Sequence, residues 1–167
     1  MANYVTFFPV GNGDMTLFST EDKINFMIDC NIRKESEGDE SEWYDCNKYL
    51  HDNLELDGKQ VYLDAFFLTH SDHDHCRGID EYFNLCAPDD CDVNKIRINE
   101  LCVPARLLVD DELANDDAKA LRTEAERRLD LYGQDDFNVD GNRLKIIGYS
   151  KDLTDYSDIT TVAGETI

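Results

Sequence analysis

Apolar positions along the first third of the chain come in short runs rich in β-formers, at residues 4–10, 15–18 and 24–30, with the Gly11-Asn12-Gly13-Asp14 turn after the first run. This pattern predicts three neighbouring antiparallel strands. An acidic, polar stretch follows at 33–42, where Gly38 and Asp39 mark a loop. From Ser41 onward the spacing changes to three or four residues, predicting a helix that turns Trp43, Cys46, Leu50 and Leu54 toward the core. Residues 62–68 read as a buried strand, and 78–85 as a short helix with Ile79, Tyr82 and Phe83 inward. Residues 96–108 read as one strand with an irregular end at Pro104. The clearest helix starts after a cap at Asp110 or Asp111. It repeats Ala114, Ala118, Leu121, Ala125, Leu129 and Tyr132 on one face and ends near Gly133. The 139–142 turn leads to a last strand at 143–149, after which the tail is polar and 160–167 offers no core-facing element.

Length and composition bound the possibilities. A chain of 167 residues with 41% hydrophobic residues and 3 prolines is expected to fold around one core. Its formal net charge of −21 opposes binding to nucleic acid or an anionic membrane through a basic face. Bound divalent cations reverse the sign locally, so a phosphate-bearing substrate stays compatible with that charge. The cysteines at 30, 46, 76, 86, 91 and 102 form no C-x-x-C pair, and the N-terminus runs straight into a strand without a signal-peptide pattern. Reduced thiols and a cytoplasmic location are expected. No apolar run approaches the roughly 20 residues that span a bilayer, so no membrane association is expected.

Chemistry concentrates immediately behind the 62–68 strand, in Thr69-His70-Ser71-Asp72-His73-Asp74-His75-Cys76-Arg77-Gly78. Imidazole and carboxylate are the side chains that bind Zn²⁺, Mn²⁺ or iron, and a strand feeding a tight loop can aim several of them at one point. The bland alternative is an acidic, solvated turn. His70, Asp72, Asp74 and His75 occupy the ligand positions of an H-x-[HD]-x-D-H signature, so the segment resembles the metallo-β-lactamase superfamily of metallohydrolases. Asp72 stands where most members carry a second His. Phe8-Pro9-Val10-Gly11-Asn12-Gly13-Asp14 is similar to the V-G-x-G-D opening of the branch that includes DNA-uptake competence proteins. That branch often has Asp at the second ligand place. Met27-Ile28-Asp29-Cys30 looks like the I-D-x motif that ends an early strand of the family.

The resemblance implies an α/β (α+β) fold: a metallo-β-lactamase-like αββα sandwich, here incomplete, with mostly one mixed β-sheet layer and flanking helices in a single domain over 1–167. It implies that His70 and Asp72 bind one metal, and Asp74 and His75 a second. Asp29 would be an outer carboxylate supporting the loop, and Asp74 the catalytic residue that orients the nucleophile. The implied cofactors are two divalent ions, Zn²⁺ by family habit, with Mn²⁺ or Mg²⁺ favoured somewhat by the Asp72 oxygen. The implied reaction is attack of metal-bound hydroxide on an ester or phosphodiester, in a small molecule, a nucleotide or a nucleic acid.

His73 is expected to point away from the metals and His51 to lie at the surface. No histidine follows residue 75, whereas the family completes its site with later ones. The chain therefore reads as the N-terminal half of the fold or as a degenerate member. Weak metal binding and little hydrolysis are expected of it alone, together with a tendency to pair with a second copy or a partner chain that completes the fold. The alternative function is a catalytically silent binding or regulatory module.

Overall fold

The computed structural model describes residues 2–36 and 41–148, so the expected loop at Gly38 and Asp39 and the tail at 160–167 lie outside the described residues. The strands are β1 (Tyr4–Phe7), β2 (Thr16–Ser19), β3 (Asn25–Ile28), β4 (Cys30–Asn31), β5 (Leu56–Asp57), β6 (Gln60–Phe67), β7 (Phe83–Asn84), β8 (Ile96–Pro104) and β9 (Arg143–Ile147). The helices are α1 (Cys46–Asn53), α2 (His73–Cys76), α3 (Ile79–Tyr82), α4 (Ala105–Val109) and α5 (Asp116–Asp130). The expected α+β arrangement, one mixed sheet with flanking helices, is what these elements form.

β1, β2 and β3 make an antiparallel meander, after which β3, β6 and β8 run parallel. β7 and β9 share the far side of β8, β7 beside Ile96 and Arg97, β9 beside residues 100–104. The crossovers from β3 to β6, β6 to β8 and β8 to β9 all advance in one direction. Right-handed crossovers therefore place their helices on one face of the sheet.

The register makes that face the core. Leu17, Met27, Phe66, Leu101 and Leu144 are paired in succession across β2, β3, β6, β8 and β9, and none exceeds 5% exposure. Burial of each such side chain contributes about 1.5–3 kcal/mol. The next row on the opposite face, Phe18, Phe26, Ala65, Glu100 and Arg143, is only half-buried. Phe18 stacks on Phe26 with ring centroids 4.8 Å apart, and Phe26 meets Phe67 at 5.9 Å. On β8 and β9 the same face carries Glu100 bound to Arg143 and Lys145.

Three boundaries differ from expectation. Trp43 lies outside α1, which starts after Asp45, because the Asp45 carboxylate accepts from the Lys48 amide at 2.9 Å. The 96–108 segment is not one strand: β8 stops at Pro104, whose fixed φ suits the residue before α4. α5 is capped by Asn115, not by Asp110 or Asp111, and the Asp110 amide instead closes the end of α4. Of the expected stripe, Ala118, Leu121 and Ala125 are buried and Leu129 packs against the core, while Ala114 and Tyr132 are exposed. Glu124 and Arg128 are buried on the same helix. One Glu124 carboxylate binds Arg127 and Arg128, and the Arg128 guanidinium donates to the carbonyls of Ile98 and Arg143, tying α5 to β8 and β9.

Candidate metal centre

Because β3 and β6 are parallel, their carboxyl ends lie side by side, the end of an open sheet at which loops gather ligands. The Asp29 amide donates to Phe67 O at 2.9 Å, extending the pairing one residue past β3. Asp29 then adopts φ +56°, a left-handed conformation that Asp tolerates better than most residues. This turn brings its carboxylate, only 1% exposed, under the loop that leaves β6.

Asp29 organises that loop. Its Oδ1 accepts from the Thr69 amide at 2.7 Å, and its Oδ2 accepts from Thr69 Oγ1 at 2.6 Å and His75 Nδ1 at 2.8 Å. With its proton donated to Asp29, the Thr69 hydroxyl oxygen accepts from His70 Nδ1 at 2.9 Å. A carboxylate has no proton to give, so this chain of bonds assigns the Nδ1–H tautomer to neutral His70 and His75 alike. Both Nε2 atoms keep a lone pair, which is the form that ligates metal.

The two rings stand 3.7 Å apart between centroids. Asp72 Oδ2 is 3.5 Å from His70 Nε2, and Asp74 Oδ2 is 3.9 Å from His75 Nε2. Thus each expected ligand pair is adjacent in space. Asp72 begins α2 yet makes no side-chain cap bond, leaving its carboxylate beside His70. Among the described residues, the one set of His, Cys, Asp and Glu atoms lying mutually within 4.8 Å is Asp29, His70 and His75; Asp72 and Asp74 flank that set without joining it. We assign Asp29 an orienting role within it, because both of its oxygens are already occupied by donors.

Charge favours a cation here. Asp29, Asp72 and Asp74 have no Lys or Arg within ion-pair distance among the described residues, and their neighbours are imidazoles. The centre opens on a cleft of about 800 Å³ lined by His70, Asp72 and Asp74 on one side and Pro104, Leu107 and Asn115 on another. Cys76 is no competing ligand, since burial pushes its thiol up to about 12. His73 turns toward α5, with Nε2 3.7 Å from Asp117, and His51 sits in the last turn of α1.

Two supports were not evident in the sequence. Asn115 accepts from the Ala118 amide to cap α5 and donates to Ser71 O at 2.9 Å, clamping the helix to the loop. Gly13 lies against the loop so closely that a Cβ there would be 2.2 Å from the Asp74 carbonyl oxygen. Asn31 Nδ2 also donates to Asn12 O at 2.6 Å, so the glycine turn forms a backing for the ligands. A turn signal was legible; what it packs against was not. No family model, curated protein or solved structure matches this chain.

Proposed function

We propose that the chain is a metal-dependent hydrolase of ester or phosphodiester bonds with a metallo-β-lactamase-like fold, acting in the cytoplasm. The observation that carries this reading is the shared anchoring of His70 and His75 on Asp29, which leaves two metal-ligating nitrogens beside Asp72 and Asp74. The donor set suits Zn²⁺ through its imidazoles and Mn²⁺ or Mg²⁺ through its carboxylates. His70 and Asp72 would hold one ion, and Asp74 and His75 a second. A divalent cation held there lowers the pKa of water to about 7 and polarises a scissile ester. Asp74, at the cleft wall, accepts a hydrogen bond from the attacking nucleophile and orients it. Asp29 and Thr69 hold the imidazoles in one tautomer, and Asn115 keeps the loop against α5.

A silent binding module is the second reading, favoured by the exposure of Asp72, whose side chain is 76% accessible, and by the absence of any histidine after residue 75. Turnover of an activated aryl phosphodiester by the Zn²⁺- or Mn²⁺-loaded chain separates the two. The hydrolase reading predicts metal-dependent turnover that falls by at least about 100-fold in Asp74→Asn. Metal binding with turnover no greater than in Asp74→Asn supports the module.

A further inference from the structure

His73 lines a second cleft as well, of about 800 Å³, on the side of the loop away from Leu107. In a chain with 37 acidic and 16 basic residues, a cation readily finds a carboxylate, as Lys23, Lys48, Arg97, Arg106 and Lys119 do. Arg33 and Arg77 are exceptions, and both line this cleft. Among the described residues neither guanidinium has a carboxylate oxygen within ion-pair distance, and the Nε of each is buried without a hydrogen-bond partner. Arg122 also lacks a carboxylate, but the carbonyls of Leu107 and Asp110 occupy it.

Both side chains are held in place. The Arg33 guanidinium lies over the Trp43 ring at 4.3 Å, and the indole is backed by Gly11, where a Cβ would come within 3.3 Å of it. Arg77 leaves from backbone bridged to Asn31, its carbonyl accepts from the Ile32 amide at 3.1 Å, and its NH2 stands 3.4 Å from His73 Nδ1. Carboxylates of the same cleft are engaged elsewhere: Glu81 with Lys34 at 2.7 Å, and Asp117 with the amides of Gly78 and Asp80. Two fixed, uncompensated guanidiniums present a fork that matches the oxygens of a tetrahedral anion.

We propose that this cleft binds a small phosphate-bearing anion through Arg33 and Arg77, with Trp43 holding Arg33 in position. The net charge of −21 repels a long polyanion, which selects a compact ligand. In the hydrolase reading, on which this link rests, the phosphate is the recognition group of a substrate that passes His73 to reach His70 and His75.

Trp43 is the only tryptophan, so its emission reports on the site directly. The chelator-treated full chain is titrated with inorganic phosphate, and separately with acetate, at constant ionic strength. Equilibrium dialysis of labelled phosphate supplies a second readout that is independent of the indole. The expected result is a saturable response to phosphate and none to acetate. Arg33→Met and Arg77→Met, each checked for native circular dichroism, should bind at least about tenfold more weakly, and His70→Ala should bind as the parent does. Absence of saturable phosphate binding, equal binding of acetate, or full affinity in both arginine variants overturns the proposal. Because the titration is metal-free, phosphate binding that survives alongside a failure to bind metal sinks the hydrolase reading alone.

Discussion

Asp29 Oδ2 lies 2.8 Å from His75 Nδ1 and, through the Thr69 hydroxyl, also fixes His70. One buried carboxylate therefore sets the tautomer of both imidazoles. Asp29→Asn tests this cleanly, since Asn tolerates the left-handed backbone that residue 29 requires and preserves its size. The amide cannot accept from all three donors. Metal affinity should fall by about 10- to 100-fold with little change in thermal stability, as read by competition with a chromophoric chelator. Unchanged affinity would remove Asp29 from the site.

Gly13 and Gly58 both have positive φ, but only at Gly13 is there no room for a side chain. At Gly13 a Cβ would meet the Asp74 carbonyl and Asn31 Nδ2; at Gly58 it would meet nothing within 4 Å. Gly58→Ala should cost only the backbone term of about 1 kcal/mol, and Gly13→Ala about 1–3 kcal/mol more, together with weakened metal binding. Urea unfolding of the two variants checks the difference. Equal midpoints would mean that the glycine turn does not press on the ligand loop.

Glu124 is buried between two arginines, so removing it leaves the Arg128 charge without its partner. Glu124→Ala should destabilise the chain by about 3–5 kcal/mol, whereas exposed Lys48→Ala, which breaks a surface pair, should fall within about 1 kcal/mol of the parent. Chemical denaturation of both variants measures this, and similar losses would contradict the assigned roles.

Burial pushes the thiols of Cys46, Cys76 and Cys102 from an ordinary 9.0 up to about 12. Between those values the unfolded chain has lost these protons and the folded chain has kept them, so stability is complete below pH 9.0 and declines as pH rises toward about 12. The urea midpoint should therefore drop over this window, and less steeply in a Cys76→Ala, Cys102→Ala variant compared with its own value at pH 8. Parallel slopes in parent and variant would show that other groups govern the decline.

The ligand loop was legible because its residues are contiguous and follow an apolar strand; neighbours in sequence there are neighbours in space. Asp29 was legible because it ends a strand in a recognisable run. Asn115 was not, because an acidic pair five and four residues earlier offers an equally good cap signal, and only the tertiary position of Ser71 selects the asparagine. Trp43 was misplaced because its spacing to Cys46 fits a helix, while the Asp45 cap starts that helix beyond it. Residues 105–109 are apolar enough to prolong a strand, and short apolar runs do not distinguish strand from helix by period. The unpaired state of Arg33 and Arg77 has no sequence signature at all, since it depends on where 37 carboxylates end up.

Divalent-metal content decides the central claim. The full chain is stripped with chelator, reconstituted with Zn²⁺ or Mn²⁺, desalted and analysed by plasma mass spectrometry beside His70→Ala and His75→Ala. Stoichiometric metal in the parent, lost in both variants while their circular dichroism stays native, is the predicted result. Equal metal in parent and variants, or none in the parent, would contradict it.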